Sequence, residues 1–248
     1  MARRRRPPAE TGRATVLHPL VAEAAHRVGA DAVGLVDVGC SSGFNLLVDR
    51  VAVTYSTGLV VGDPSSPVQL EATVVGERPV PGRAVPAIVA RVGVDREPVD
   101  VTDPDDVAWL RAGEAEQPER LDAAIALAAA EPPLLLRGDP IDLLPEAVGR
   151  VPAGALPMVT TTWALARYSV EARLRFLQHL DAVGAGRTVA WVSAEGVGVA
   201  PGIPTMGDRH ASGHSVLGVA VLEHRTLRAE AVGRCWSRGR MLSWLVDG

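Results

Sequence analysis

The stretch GLVDVGCSSGFNLLVDRV, residues 34–51, decides how the rest of the chain is read. It begins inside AVGLVDVG (32–39), a short apolar run ending in glycine, the pattern of a strand buried on both faces of a parallel sheet. Gly39 and Gly43 then bracket a turn, and GFNLLVDRV returns to helical spacing with Asn45 and Asp49 in it. A strand, a glycine turn and the start of a helix make a common nucleotide cradle.

The turn itself narrows the ligand. A dinucleotide fingerprint would need glycine at 39, 41 and 44, where this chain has Gly39, Ser41 and Phe44. A phosphate-binding P-loop needs a lysine, and the chain has none. What remains is an acid, Asp37, two residues before Gly39, and Gly43 four residues after it. Gly39 lets the backbone turn sharply, and Gly43 lets a ligand approach a helix N-terminus whose N–H groups bind a carboxylate. Asp37 is placed to hold an ammonium group. A ligand with an amino-acid end and a nucleoside end answers both, which points to S-adenosylmethionine. The competing reading is a tight strand–helix turn with no ligand.

The chain has 248 residues, 47% of them hydrophobic, enough for a full core. All 25 basic residues are arginine, so a Schiff-base lysine is excluded. A net charge of −4 speaks against nucleic acid as a partner. The two cysteines, Cys40 and Cys235, are too few for a disulfide framework. No apolar run is long enough to cross a membrane, and no apolar segment of a signal peptide follows MARRRRPP. The expected setting is cytoplasmic, with residues 1–13 a disordered basic tail and 14–248 a single domain.

Outward from the turn, TVLHPLVAEAAHRVGA (15–30) has helical spacing. Residues 51–86 change character. VAVTYSTGLVV and PVQLEATVVG are β-branched and flank the turn cluster GDPSSP, which predicts an inserted β-hairpin. AIVARVGVD (87–95) is a strand. Thr102 or Asp103 caps a helix in TDPDDVAWLRA, and PERLDAAIALAAA (118–130) is another. Strands and helices then alternate through PLLLRGD (133–139), PIDLLPEAVG, LPMVTTTW (156–163), SVEARLRFLQHLDAV (169–183) and RTVAWVSAEG (187–196). That alternation predicts an α/β fold, a mainly parallel sheet with helices on both faces. Residues 196–215 have no helical period and read as a lid loop. SVLGVAVLEH, TLRAEAVGRCW and RMLSWLV then follow without helices, which predicts antiparallel C-terminal strands.

VDVGCSSGFN resembles the first motif of the class I S-adenosylmethionine-dependent methyltransferases, with Ser41 in place of the middle glycine. LLLRGDPIDLLPE resembles their adenine-side motif, and LPMVTTTWALARYSVEARLRFLQHL their fourth strand, exit loop and following helix. RTVAWVSAEG stands where their fifth strand belongs. The resemblance covers residues 32–246 and implies a Rossmann-like methyltransferase fold. More narrowly, VGCSSGFNLLVDR, GDPSSPV, VGVDREPVDVTDPDDVAWLRA, QPERL and VSAEGVGV resemble an uncharacterised actinobacterial family, the DUF2332 proteins.

By this resemblance Asp37, Gly39, Ser41, Gly43 and Asn45 lie along the methionine end of the cofactor. The ribose hydroxyls need a carboxylate after the second strand. Asp95 supplies it if 51–86 is an insertion, with Glu97 as a near alternative, and Asp63 supplies it on bare spacing. Gly138 and Asp139 end the third strand, where Asp139 accepts from the adenine amino group or caps the helix in PIDLLP. Thr161 and Trp163 face the transferring methyl group. Trp163 stacks on adenine, closes the substrate pocket or packs in the core, and Tyr168 borders the same pocket. Glu195 is a general base, an anchor for a substrate amine or a salt-bridge partner. His210 is a base on the lid and His214 a substrate contact, or both are plain solvent-exposed loop histidines. No metal is expected, because their H-x-x-x-H spacing falls in a glycine loop with no third ligand nearby.

The first functional expectation is a methyltransferase for a small molecule, acting on oxygen or nitrogen and releasing S-adenosylhomocysteine. It is a monomer or homodimer with neither nucleic acid nor membrane as partner. Methyl transfer from a sulfonium depends on alignment more than on acid–base help. The second is a methyltransferase-like protein with different or no catalysis, a cyclase or a ligand-binding or regulatory domain, since fold alone does not dictate function. An NAD-dependent oxidoreductase fails on the glycine spacing.

Overall fold

The computed structural model describes residues 11–114 and 116–247. Residues 1–10, most of the expected tail, lie outside the described residues. The expected tail nevertheless ends too late, because Thr11 and Arg13 are buried. Helix α1 (Ala14–Val28) follows at once. Its buried Val16, Leu17, Leu20, Val21, Ala24 and Ala25 recur at helical spacing, and Gly29 at φ 63° ends it in the left-handed conformation.

One sheet holds β1 (Ala32–Val38), β2 (Ala52–Tyr55), β3 (Val60–Gly62), β4 (Gln69–Val74), β5 (Ala87–Asp95), β6 (Leu134–Arg137), β7 (Leu156–Thr162), β8 (Val189–Gly196), β9 (Ser215–Glu223), β10 (Thr226–Trp236) and β11 (Met241–Trp244). Their order is β3-β2-β4-β11-β10-β9-β8-β7-β1-β5-β6. β6, β5, β1, β7 and β8 run parallel to one another, and β9, β10 and β11 follow β8 with successive antiparallel pairings. The fold is therefore α/β, with a mixed, mostly parallel sheet.

β1 shows why the opening stretch is apolar throughout. Val33 and Leu35 pack into the core shared with α1 and with α3 (Pro118–Ala130), while Val36 and Val38 pack against α4 (Leu144–Gly149) and α5 (Val170–Gly184). A strand covered on both faces has no solvent side to be polar on. After β1 the chain builds β5 and β6 to one side, with α2 (Pro104–Gly113) and α3 between them, then returns to build β7 and β8 on the other. The order reverses between β1 and β7, so the carboxyl ends of these two strands form a switch point, the usual ligand position in an open α/β sheet.

Three sequence expectations give way to other structure. The helix after the glycine turn is a single 3₁₀ turn at Phe44–Leu47. Phe44, Leu46, Leu47, Val48 and Val51 all enter the core, so their spacing serves burial and not a long helix. The region 51–86 is not a separate hairpin spanning GDPSSP. The antiparallel pair is β2 with β3, and β4 returns parallel to β2. β4 also pairs with β11, which joins these strands to the main sheet. The expected lid at 196–215 is half core: Val197, Val199, Ala200 and Ile203 are buried, and only the later part, around the 3₁₀ turn His210–Ser212, is largely exposed.

No helix among the described residues is long and apolar enough to cross a membrane. His18 in α1 is buried, and its Nδ1 finds no hydrogen-bond partner among the described residues. Burial pulls its pKa down to about 4, against the opposing pull of Asp49. The unfolded chain takes up that proton earlier, so the stability from a neutral His18 is present above about pH 6.5 and is lost as pH falls towards about 4. His18→Leu should flatten that part of the pH dependence, measured as urea unfolding from pH 4 to 7 against the parent chain; an unchanged slope would assign the dependence to other groups.

Candidate functional site

Asp37 ends β1 on the α1 side of the sheet and is 1% exposed. Its Oδ1 accepts from Thr160 Oγ1 at 2.6 Å and its Oδ2 from Asn45 Nδ2 at 3.0 Å. Asn45 also donates to Thr162 Oγ1 at 3.1 Å, and Arg13 donates to the same hydroxyl at 2.8 Å and to the Thr162 carbonyl. The Arg13 guanidinium lies 5.3 Å from the ring centroid of Trp163, whose Nε1 donates to Ser215 Oγ at 2.8 Å. The 3₁₀ turn thus has a second use: it delivers Asn45 between β1 and β7. Asp37 and Asn45 were expected to hold the amino-acid end of a ligand, but they are spent on this internal network.

The glycine turn is fastened to β5. Gly39 and Cys40 donate their N–H groups to the Val94 carbonyl, Ser41 donates to Asp95 Oδ2 at 3.0 Å, and Gly43 donates to the Cys40 carbonyl. These amides were expected to bind a carboxylate at the N-terminus of a helix. They are bonded within the chain, and a 3₁₀ turn of four residues aligns only a few peptide dipoles behind them. Cys40 packs behind the turn, where a Cβ on Gly93 would fall 2.6 Å from its sulfur. Ser41 sits at φ 52°, the left-handed region a glycine takes freely.

Beside the turn, at the switch point, Gly39, Asp95, Arg96, Ala164, Arg167 and Tyr168 line a cleft of about 130 Å³. Asp95 is oriented by the two N–H groups it accepts, from Ser41 and from Glu97 at 3.0 Å. Arg96 donates to Asp139 Oδ2 at 2.6 Å and lies 5.7 Å from the Tyr168 ring centroid. Asp139 also accepts from the Ile141 N–H at 3.0 Å, so it caps the turn leading to α4 whatever else it does. Burial would raise the Asp139 carboxyl, but the Arg96 hydrogen bond and the N–H groups of Ile141 and Asp142 outweigh it and hold it below its ordinary value. Burial, followed by the Asp139 charge, pushes the Tyr168 hydroxyl up to about 12. Gly138, ahead of Asp139, donates its N–H to the Asp95 carbonyl and binds the β6 exit to β5.

Other expected site residues lie elsewhere. Thr161 points to the opposite face, where its hydroxyl accepts from Trp191 Nε1 at 3.0 Å. Trp163 is turned away from the cleft towards Arg13 and Ser215, at φ 51°. Glu195 is 1% exposed, and its Oε1 accepts the N–H groups of Ala164 and Leu165, so it sits beneath the loop instead of in the cleft. His210 is exposed on its 3₁₀ turn. His214 is tied by Nε2 to Asp208 at 2.9 Å, and Arg234 grips the same carboxylate with two hydrogen bonds. Asp63 is held by Ser65 in the turn after β3, at the outer end of the sheet. Among the ribose candidates, Asp95 lines the cleft, and Glu97 stands beside it with its N–H on the Asp95 carboxylate. Arg13, Thr160, Thr162, Arg96 and Arg167 are additions. Arg96 and Arg167 carry a readable signal, since each stands in a loop after a parallel strand; Arg13 carries none.

The molecule is thus an α/β protein with a polar cleft at the switch point of a largely parallel sheet. The chain belongs to the DUF2332 family, described as uncharacterized proteins conserved in bacteria, whose family model matches residues 1–244. No curated protein matches the chain.

Removing the Asp37 carboxylate strands two buried donors. Asp37→Ala should lower the unfolding free energy by about 2–4 kcal/mol, whereas Ser41→Gly should be neutral or stabilise by up to about 1 kcal/mol. Urea unfolding of both variants checks this, and an undisturbed Asp37→Ala would deny the network its structural role.

Proposed function

We propose that this protein binds S-adenosylmethionine at the switch point by its nucleoside end and transfers the methyl group to a small molecule. The observation that carries the reading is the meeting of Gly39, Asp95 and Tyr168 around one cleft. In order of appearance the five parallel strands run 3-2-1-4-5, and doubly wound sheets in general bind ligands at such a switch point. Asp95 is oriented to accept two hydrogen bonds from a vicinal diol. Asp139 is placed for an adenine amino group once Arg96 leaves it. Tyr168 offers an aromatic face to the base.

The cleft is smaller than the roughly 300 Å³ that a ligand of this size needs. Arg96 closes it, and its side chain is 67% exposed, so little holds it there beyond Asp139 and Tyr168. Entry of the nucleoside therefore exchanges the Arg96–Asp139 pair for ligand contacts. The cofactor supplies an electrophilic methyl group, and the chain's part is to bind, orient and exclude water. The net charge of −4 favours a small acceptor over nucleic acid.

A second reading keeps the nucleoside site without methyl transfer. The turn N–H groups of Gly39, Cys40, Ser41 and Gly43 are all bonded within the chain, and Glu195 and His210 stand outside the cleft. That leaves the amino-acid end of the cofactor with few donors.

Calorimetry separates the possibilities. S-adenosylmethionine and S-adenosylhomocysteine should bind and NADH should not, and Asp95→Asn should weaken binding about tenfold through the loss of a charged hydrogen bond. No binding of either adenosyl ligand overturns the proposal. Binding without methyl transfer to any acceptor in a broad panel favours the second reading.

A further inference from the structure

We propose that Glu195 is a positioning residue, a proton-linked brace that holds the loop forming one wall of the switch-point cleft. The loop leaves β7 through Trp163 at φ 51°, a strained backbone for a bulky residue. It then makes the 3₁₀ turn Leu165–Arg167 and supplies Ala164, Arg167 and Tyr168 to the cleft. The turn's own preceding residue, Ala164, offers no side-chain cap. Glu195, reaching across from the end of β8, supplies one: its Oε1 accepts the N–H groups of Ala164 and Leu165, each at 2.9 Å. The Trp163 N–H bonds the neighbouring Ala194 carbonyl at 2.9 Å. The end of β8 therefore sets where the loop starts and how it turns.

The other carboxyl oxygen makes the brace sensitive to protons. Glu195 Oε2 is buried and has no hydrogen-bond partner among the described residues, and the same holds for Ser193 Oγ two positions back on β8. A bare anionic oxygen in such a place costs far more than a neutral carboxyl. From the other elements, Arg13 ahead of α1 bears on Glu195 and favours its charged form, the loop presents the N–H groups of Ala164, Leu165 and Ala166, and β9 places Val216 opposite. Burial outweighs these and pushes the Glu195 carboxyl up to about 7.

The direction follows from linkage. With the loop open, water reaches the carboxyl and it titrates near its ordinary value of about 4.5; with the loop closed it titrates near about 7. The closed wall is favoured most below about pH 4.5, loses ground as pH rises to about 7, and levels off above that. The ligand that would use this wall rests on the function proposed above; the brace itself does not.

Hydrogen exchange of the Ala164 and Leu165 amides, followed by NMR on the full chain without ligand and corrected for intrinsic rates, tests the brace directly. In the parent, protection should fall at least about tenfold from pH 5 to 7 and then stay level. Glu195→Gln keeps a carbonyl acceptor without a titrating group, so it should keep protection and lose the pH dependence. Glu195→Ala should lose protection at every pH; should it fail to fold, the parent and the Gln variant decide. Protection in the parent that does not change with pH, or a Gln variant that follows the parent, overturns the proposal. Failure of adenosyl ligands to bind would sink the assigned function and leave this result standing.

Discussion

A carboxylate buried at the end of the central strand constrains everything around it. Asp37 is 1% exposed, so the protein itself must solvate it. It takes a hydroxyl from β7 and the Asn45 side-chain amide from the 3₁₀ turn, and through Asn45 and Thr162 the same network reaches Arg13 ahead of α1. These bonds fix the spacing of β1 and β7 on the face opposite α4 and α5. The turn is held from the other side by Val94 and Asp95. With both flanks tied, the switch-point cleft is bounded on its β1 and β5 sides by bonded backbone, and the loop after β7 is held by Glu195 at its N–H groups and by Arg173 of α5 at the Leu165 and Tyr168 carbonyls.

Most of the fold was legible because burial writes itself into the sequence. The apolar runs at 32–39, 156–163 and 187–196 are strands covered on both faces, while 87–95 is a strand buried only in its second half. Periodicity misled where a few apolar residues had to be buried without a regular element. Phe44, Leu46, Leu47 and Val48 have helical spacing, yet a 3₁₀ turn satisfies their burial. Strand partners were less readable still. Nothing local in PVQLEATVVG says that Thr73 and Val74 pair with β11, some 170 residues later.

The site divides along similar lines. Asp95, Asp139 and Gly39 could be found because each stands where a parallel strand ends, and Tyr168 because it lies in the loop that leaves β7. Asp37 and Asn45 also stand there, but alternation along β1 turns Asp37 to the α1 face, where other side chains consume it. Glu195 follows the same logic: its position at the end of β8 was readable, its task was not, because that task is set by a loop about thirty residues away in sequence. The chemistry lining the cleft is one carboxylate, two guanidiniums and a phenol, with Asp139 behind Arg96, a set suited to the hydroxyls and base of a nucleoside.

The most direct test of this account is a crystal structure of the chain with S-adenosylhomocysteine. The account predicts adenosine in the switch-point cleft, its ribose hydroxyls on the Asp95 carboxylate, its base against Tyr168, and Arg96 drawn off Asp139. A ligand bound elsewhere, or a cleft still closed by the Arg96–Asp139 pair at saturating ligand, would contradict it.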